Sequence, residues 1–261
     1  MAEQGLTIIL PSAGLGKRLG VNTPKELLEI HPGVPVIRFS LGHILASLDQ
    51  DRFDVKIAVV IRKGKESVVD YVRGILPSEI EVRTVYADPQ WKEWPGSIYS
   101  AREHYSDHNL VLLPDSFLAL SEIDWLRNSD NRTLIDLALF GLAQSQIVFG
   151  TLYCPDCERL KRLGAVRQQE NGEIIAFQDK PDDPTDFNAF WGCFAFRREV
   201  GEALHQFLGA SVRHANPDYP AQSFYPACSF PLIDYADLGT WEAVKAFRLS
   251  YPPEKLGIAG S

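Results

Sequence analysis

The first half of the chain alternates short apolar runs with amphipathic stretches, and this rhythm constrains the fold more than any other feature. Residues 6–10 are apolar and end at Pro11, and residues 55–61 form a second such run. Residues 80–86 alternate apolar and polar, and residues 110–113 are apolar again before Pro114-Asp115. Between them, residues 36–48 put Ile37, Leu41, Ile44, Leu45 and Leu48 on one helical face. Residues 65–75 repeat an amphipathic pattern, and residues 97–105 read as a third helix. Continuous apolar runs of this length fit strands buried on both faces, and intervening helices supply the crossovers that parallel pairing needs. The predicted fold class is α/β, a mainly parallel sheet with helices on both faces.

The second half is less regular and makes the sheet mixed. Residues 147–153, 165–169, 174–177 and 193–196 read as strands, two of them joined by the turn Glu170-Asn171-Gly172. Residues 198–208 read as a helix, 232–235 as a strand and 239–247 as a closing helix. Residues 209–230, rich in Pro, Ser, Asn and aromatics, are expected to form an ordered loop or irregular insertion. Residues 249–261 are expected to be a loosely held tail.

Composition bounds the function. At 261 residues and 45% hydrophobic, the chain can bury a large core within one domain. No apolar run approaches the ~20 residues needed to cross a bilayer, and the polar start Met1-Ala2-Glu3-Gln4-Gly5 carries no secretory pattern. A net charge of −8 speaks against a general nucleic-acid binder, so an anionic ligand must be drawn by local positive charge or a metal. The four cysteines are too few for a disulfide scaffold. Cys154-Pro155-Asp156-Cys157 has the form of half a zinc site or a redox pair, but without a second such pair it reads as a loop with two reduced thiols. A cytoplasmic compartment is expected.

The strongest local signal is Pro11-Ser12-Ala13-Gly14-Leu15-Gly16-Lys17-Arg18-Leu19-Gly20, directly after the first strand. Closely spaced glycines let backbone N–H groups approach a phosphate chain, and Lys17 and Arg18 add positive charge. The loop fails the Walker A pattern at Pro11 and Arg18, and fails the dinucleotide fingerprint at Leu19. What remains is G-x-G-x-R followed by Thr23-Pro24-Lys25 and the pair Leu27-Leu28.

That combination resembles the nucleotidyltransferases that make sugar nucleotides from a nucleoside triphosphate and a sugar phosphate. The short spacing from Arg18 to Pro24-Lys25 looks more like the cytidylyltransferases of isoprenoid synthesis or compact relatives. Further matches follow in order: Pro95-Gly96-Ser97, Leu112-Leu113-Pro114-Asp115, Leu163-Gly164-Ala165-Val166, Asp179-Lys180-Pro181, Trp191-Gly192-Cys193 and Asp237-Leu238-Gly239-Thr240. The resemblance covers roughly residues 6 to 248. It implies a Rossmann-like sheet forming a single nucleotidyltransferase domain over 1–261, with a nucleotide-binding part in 1–140. A small β-rich acceptor-binding lobe in 141–248 would complete it, with no regulatory or acyltransferase lobe.

The resemblance also implies roles. Ala13, Gly14, Gly16, Lys17, Arg18, Gly96 and Ser97 would hold the nucleotide. Arg18, Lys25 and Asp115 would be catalytic. Gly164, Asp179, Lys180 and Gly192 would hold the acceptor, and Asp115 with Asp237 would bind Mg²⁺. The partners implied are a nucleoside triphosphate and a phosphorylated small-molecule acceptor, with neither nucleic acid nor membrane, and a homo-oligomer stays open. Two departures put base and acceptor in question: the loop between Arg18 and Lys25 is short, and residues 209–230 replace the family's Glu-x-Thr-Asp segment. A cytidylyltransferase for a non-sugar phosphate or phosphonate remains an alternative. So do a glycosyltransferase sharing this sheet and a non-catalytic nucleotide sensor. The sensor is disfavoured by the presence of Arg18, Lys25 and both aspartates.

Overall fold

The computed structural model describes residues 4–16, 18–48, 53–91, 93–213 and 227–257. The strands are β1 (Gln4–Pro11), β2 (Glu29–His31), β3 (Val34–Pro35), β4 (Phe53–Ile61), β5 (Glu81–Tyr86), β6 (His108–Leu112), β7 (Ser116–Ala119), β8 (Ile147–Tyr153), β9 (Gly164–Gln168), β10 (Glu173–Asp179), β11 (Ala189–Arg197), β12 (Ala227–Pro231) and β13 (Asp234–Asp237). The helices are α1 (Ile37–Leu48), α2 (Glu66–Ile75), α3 (Trp94–Tyr99), α4 (Leu134–Leu142), α5 (Cys157–Leu160), α6 (Gly201–Val212) and α7 (Trp241–Ser250).

A nine-stranded sheet runs in the order β5-β4-β1-β6-β11-β8-β12-β10-β9. β5, β4, β1 and β6 are parallel, β11 is antiparallel to both its neighbours β6 and β8, and β12 is parallel to β8. β10 is antiparallel to β12 and β9, so all strands except β10 and β11 run one way. The fold is the expected mixed, mostly parallel α/β sheet.

Successive residues of a strand face opposite sides, and the two apolar faces follow from that alternation. Leu6, Ile8 and Leu10 of β1 join α1, α2 and α4 in one core, while Ile9 joins α3 and α6 on the opposite face. A third core lies under β7 and β13, where the fully buried Phe117 packs on Phe39, Phe247 and Tyr251 with ring centroids 4.5–5.3 Å away. Buried aromatic clusters of this kind dominate local stability, and Phe117→Ala removes about 3–5 kcal/mol.

The structure corrects several expected elements. Residues 97–105 are not one helix: α3 stops at Tyr99 and a 3₁₀ turn follows at Arg102–His104. The buried Tyr105 hydroxyl, which donates to the Ile98 carbonyl, secures that early end. Residues 209–230 are not one loop. Gly209–Val212 continue α6, and Ala227–Pro231 form β12, held between β8 and β10 by partners distant in sequence; residues 214–226 lie outside the described residues. The strand expected at 232–235 lies at Asp234–Asp237 and leaves the large sheet to pair with β7. α4 escaped periodicity because it is nearly apolar throughout, although its capping box, Thr133 with Asp136, is a sequence-level start signal. All four cysteines are free thiols, and burial pushes the Cys193 thiol up to about 12. Cys157 opens the short α5, whose end is capped by Asp156 accepting from the Glu158 and Arg159 amides.

Candidate active site

In an open α/β sheet, ligands bind beyond the carboxyl ends of the strands, because there the connecting loops diverge. A cleft of about 750 Å³ opens at that edge. Ala13, Gly14, Arg18, Lys25, Ser97, Asp115, Gly164, Asp179, Lys180 and Asp237 all line it.

One wall is the loop after β1. Lys25 sits on the 3₁₀ turn Lys25–Leu27, whose fixed entry comes from Pro24, and its stem passes beneath the two glycines. A Cβ at Gly14 would lie 3.5 Å from the Lys25 Nζ, and one at Gly16 would lie 3.4 Å from the Lys25 Cβ. Gly16 also has φ +63°, a region that favours glycine. A methyl at either position would make only ordinary contact with Lys25, so it is the backbone of Gly16 that calls for glycine. The Trp241 indole at the start of α7 donates to the Leu19 carbonyl at 2.9 Å and ties the loop's end down.

The floor is made by β7 and β13. Their antiparallel register pairs Asp237 with Ser116, so the carboxylate just before β7, Asp115, meets the one that ends β13. The Leu238 amide donates to the Asp115 carbonyl at 2.9 Å and closes the junction. The Lys25 ammonium donates to Asp115, and Arg18 lies 3.8 Å from Asp237. A Cβ at Gly239 would lie 2.8 Å from both the Arg18 Nη2 and the Asp237 Oδ1, so glycine there permits the approach of cation and anion. Burial pushes the Asp237 carboxyl up, and the charge of Asp115 adds to that rise against the Gly239 amide, Arg18 and Lys25. Burial alone would lower Lys25, but Asp115, Glu26 and Asp237 outweigh it and hold the ammonium charged. Among the described residues no group of three or more His, Cys, Asp or Glu gathers as a metal site. Two carboxylates repelling one another are nevertheless the donor set that Mg²⁺ takes when substrate phosphates supply the rest.

The far wall is built from β9, β10 and β11. Asp179 pairs with Gly164 across β10 and β9, and the Lys180 amide donates to the Leu163 carbonyl at 2.9 Å. Lys180 holds φ +49°, strained for a lysine, while its ammonium bonds the buried Asp179 at 2.8 Å. Trp191 packs over Gly164, where a Cβ would lie 1.9 Å from the indole Nε1. The β11–β8 register shifts between Trp191 and Cys193, a bulge that sends Trp191 to the cleft side.

The structure does not bring every expected residue to the cleft surface. The space beside Gly96 is filled by Trp91, whose Cβ is 2.1 Å from a built Cβ. That beside Gly192 is filled by Leu118, Leu232 and Tyr235. Packing accounts for both glycines. Lys17 lies outside the described residues. Conversely, Arg62, Arg162, Trp94 and Trp191 line the cleft, and the two arginines had not been singled out as site residues. Trp94 and Trp191 approach to 5.2 Å between ring centroids. Arg62 was legible as part of Arg62-Lys63-Gly64-Lys65, a basic cluster right after a buried strand.

No family model matches the chain. Among curated proteins, 2-C-methyl-D-erythritol 4-phosphate cytidylyltransferase from Bacillus mycoides is 28% identical over 109 residues, covering 42% of this chain and 45% of the relative. The Bacillus anthracis enzyme of the same name matches to the same extent. The chain thus spans under half the length of the curated relatives it matches. Among solved structures, UDP-glucose pyrophosphorylase from Acinetobacter baumannii superposes with TM-score 0.74 at 17% identity, over 96% of this chain and 94% of that one. Inositol-1-phosphate CTP transferase from T. maritima superposes with TM-score 0.67 at 16% identity, over 100% and 99%. The chain therefore has the fold of the nucleotidyltransferases that its motifs resemble.

Proposed function

We propose that the protein transfers a nucleoside monophosphate from a nucleoside triphosphate to a phosphorylated acceptor and releases pyrophosphate. The observation that carries this reading is the convergence of Gly14, Arg18, Lys25, Asp115, Lys180 and Asp237 in one cleft at the carboxyl edge of the sheet. A phosphate monoester is already a nucleophile at neutral pH, so no Ser, Cys or His nucleophile is needed. Its oxygen bonds to the α-phosphorus as the bond to the β-phosphate bridge breaks, and the charge that develops passes to the leaving pyrophosphate. The chemistry then needs positioning and electrostatic stabilisation. Lys25 neutralises the α-phosphate, Arg18 receives the departing β,γ portion, and Lys180 anchors the acceptor phosphate.

Asp115 and Asp237 would hold Mg²⁺, which draws phosphate oxygens together and stabilises their charge. Their mutual repulsion supports that assignment, since a bound cation relieves it. Cytidine triphosphate is the first donor to test, because the curated relatives are cytidylyltransferases and the Arg18-to-Lys25 spacing resembles theirs. A sugar 1-phosphate is the first acceptor, since the sugar-nucleotide enzymes supply most of the motif resemblance. Four free thiols suit a reducing, cytoplasmic setting. The test is a grid of the four nucleoside triphosphates against phosphorylated sugars, cyclitols, amino-alcohols and phosphonates, scored by pyrophosphate release with Mg²⁺. Release with one pair supports the reading. Silence across the grid, or transfer from a nucleotide sugar without pyrophosphate, overturns it.

A further inference from the structure

We propose that Lys65, paired with Glu26, is the positioning residue that aims the backbone amides of the loop after β1 at the triphosphate; the inference rests on the nucleotidyl-transfer reading. Lys65 stands at the N-cap of α2, a place that suits an oxygen acceptor and repels a cation through the helix dipole. It makes no capping bond there. A residue that contradicts its local setting points to a demand elsewhere.

The demand is visible in its contacts. The Lys65 Nζ donates to the Ser12 carbonyl at 2.7 Å, to the Gly14 carbonyl at 2.9 Å, and to the two Glu26 oxygens at 2.8 and 2.7 Å. Lys65 is 8% exposed and Glu26 fully buried. A planar trans peptide points its carbonyl and the following N–H in opposite directions. With the Ser12 and Gly14 carbonyls drawn to Lys65, the Ala13 and Leu15 amides face away from it. Ala13 and Leu15 line the cleft and Lys65 does not, so those amides are aimed at the cleft side. The carbonyl between them, on Ala13, is taken by Arg62 Nε at 2.5 Å.

Three successive carbonyls that would repel a polyphosphate are thus turned onto cations. Glu26 completes the device, because it neutralises the buried ammonium and sits next to Lys25. The same pair thereby locks the turn carrying Lys25 to the loop above it. Lys65 touches no substrate in this scheme; it acts through the backbone that does.

The test is titration of the full chain with each of the four nucleoside triphosphates, followed by the ¹H–¹⁵N signals of Ala13 and Leu15. Lys65→Met with Glu26→Gln is the informative variant, since it removes both charges and strands neither. The wild-type amides should shift and saturate with one triphosphate. The double variant should retain its circular dichroism spectrum yet need at least ~10-fold more ligand, with KM for that triphosphate raised alike and KM for the acceptor unchanged. Equal saturation by the double variant, or a loss shared equally with the acceptor, overturns the positioning role while leaving nucleotidyl transfer intact. A wild-type protein whose amides respond to no triphosphate overturns the functional reading itself, and the positioning role with it.

Discussion

The Lys25 ammonium donates to the Asp115 carboxylate across 90 residues of chain, and both side chains are largely sheltered from solvent. The contact links the loop after β1 to the start of β7, one wall and the floor of the cleft that the phosphates of the proposed reaction must enter. In the fold each group answers the other's charge; in the proposed reaction both would turn to phosphate oxygen and cation.

Asp115→Asn should lower the rate of pyrophosphate release by at least ~100-fold, the usual loss when one electrostatic contact to a transition state is removed. Lys25→Met should do the same, and circular dichroism should show both variants folded. Turnover within tenfold of wild type would sink these assignments.

Asp237 should report on stability as well as activity. Its carboxyl is raised in the fold by burial and by Asp115, whereas an unfolded aspartate titrates near ~3.9. Stability therefore falls as pH rises from the unfolded value through the folded one, because the ionised form is favoured in the unfolded chain. Asp237→Asn should accordingly have a higher Tm than wild type at pH 7 in the absence of metal, and the gain should vanish below about pH 3.5. The effect is modest because the side chain is 40% exposed. A lower Tm at pH 7 would contradict it.

His43 lies buried against the edge of Trp125, its Nε2 3.2 Å from the Leu118 carbonyl, and burial lowers its pKa to about 4. The unfolded chain protonates it near ~6.5, so stability is lost as pH falls from there toward 4. The full loss is of the order of 3 kcal/mol. Thermal denaturation of His43→Leu should show a flatter pH dependence between 4 and 6.5. An unchanged slope would show that His43 does not set it.

Gly164→Ala places a methyl 1.9 Å from the Trp191 indole, so the ring must move. The expected cost is about 1–3 kcal/mol of stability, the usual range for overpacking, with a shift in tryptophan emission. Truncating the ring in Gly164→Ala/Trp191→Leu should restore most of the Tm. Failure of that rescue would point to a role for Gly164 beyond seating the indole.

Much of the fold was legible because it depends on local pattern. The apolar runs at β1, β4 and β6 lie on a buried sheet and keep hydrophobic residues on both faces, so their shortness and the turn residues that bound them identify them. α4 was missed for the converse reason, since a helix apolar on nearly all sides has no period to read. β12 was missed because a five-residue strand owes its existence to β8 and β10 on either side.

The same division runs through the site. Gly14, Arg18 and Lys25 were marked by their spacing within a single loop. Asp115 and Asp237 were each visible as carboxylates after short strands, but no spacing joins residues so far apart; resemblance alone suggested the pair, and the β7–β13 register brings them together. Lys65 gave no sign of its partners, because a lysine's reach is decided by which backbone carbonyls the packed chain turns toward it. Gly192 and Gly96 looked like ligand contacts, yet their missing side chains answer to Tyr235 and Trp91.

Sequence by itself determined which segments become strands and helices and which residue types stand at their carboxyl ends, since period, turn chemistry and charge are local properties. Tertiary structure alone decided which carboxylates lie together, which carbonyls Lys65 holds and which glycines yield to a neighbour. Those outcomes depend on distances between segments far apart in the chain, and only packing sets such distances.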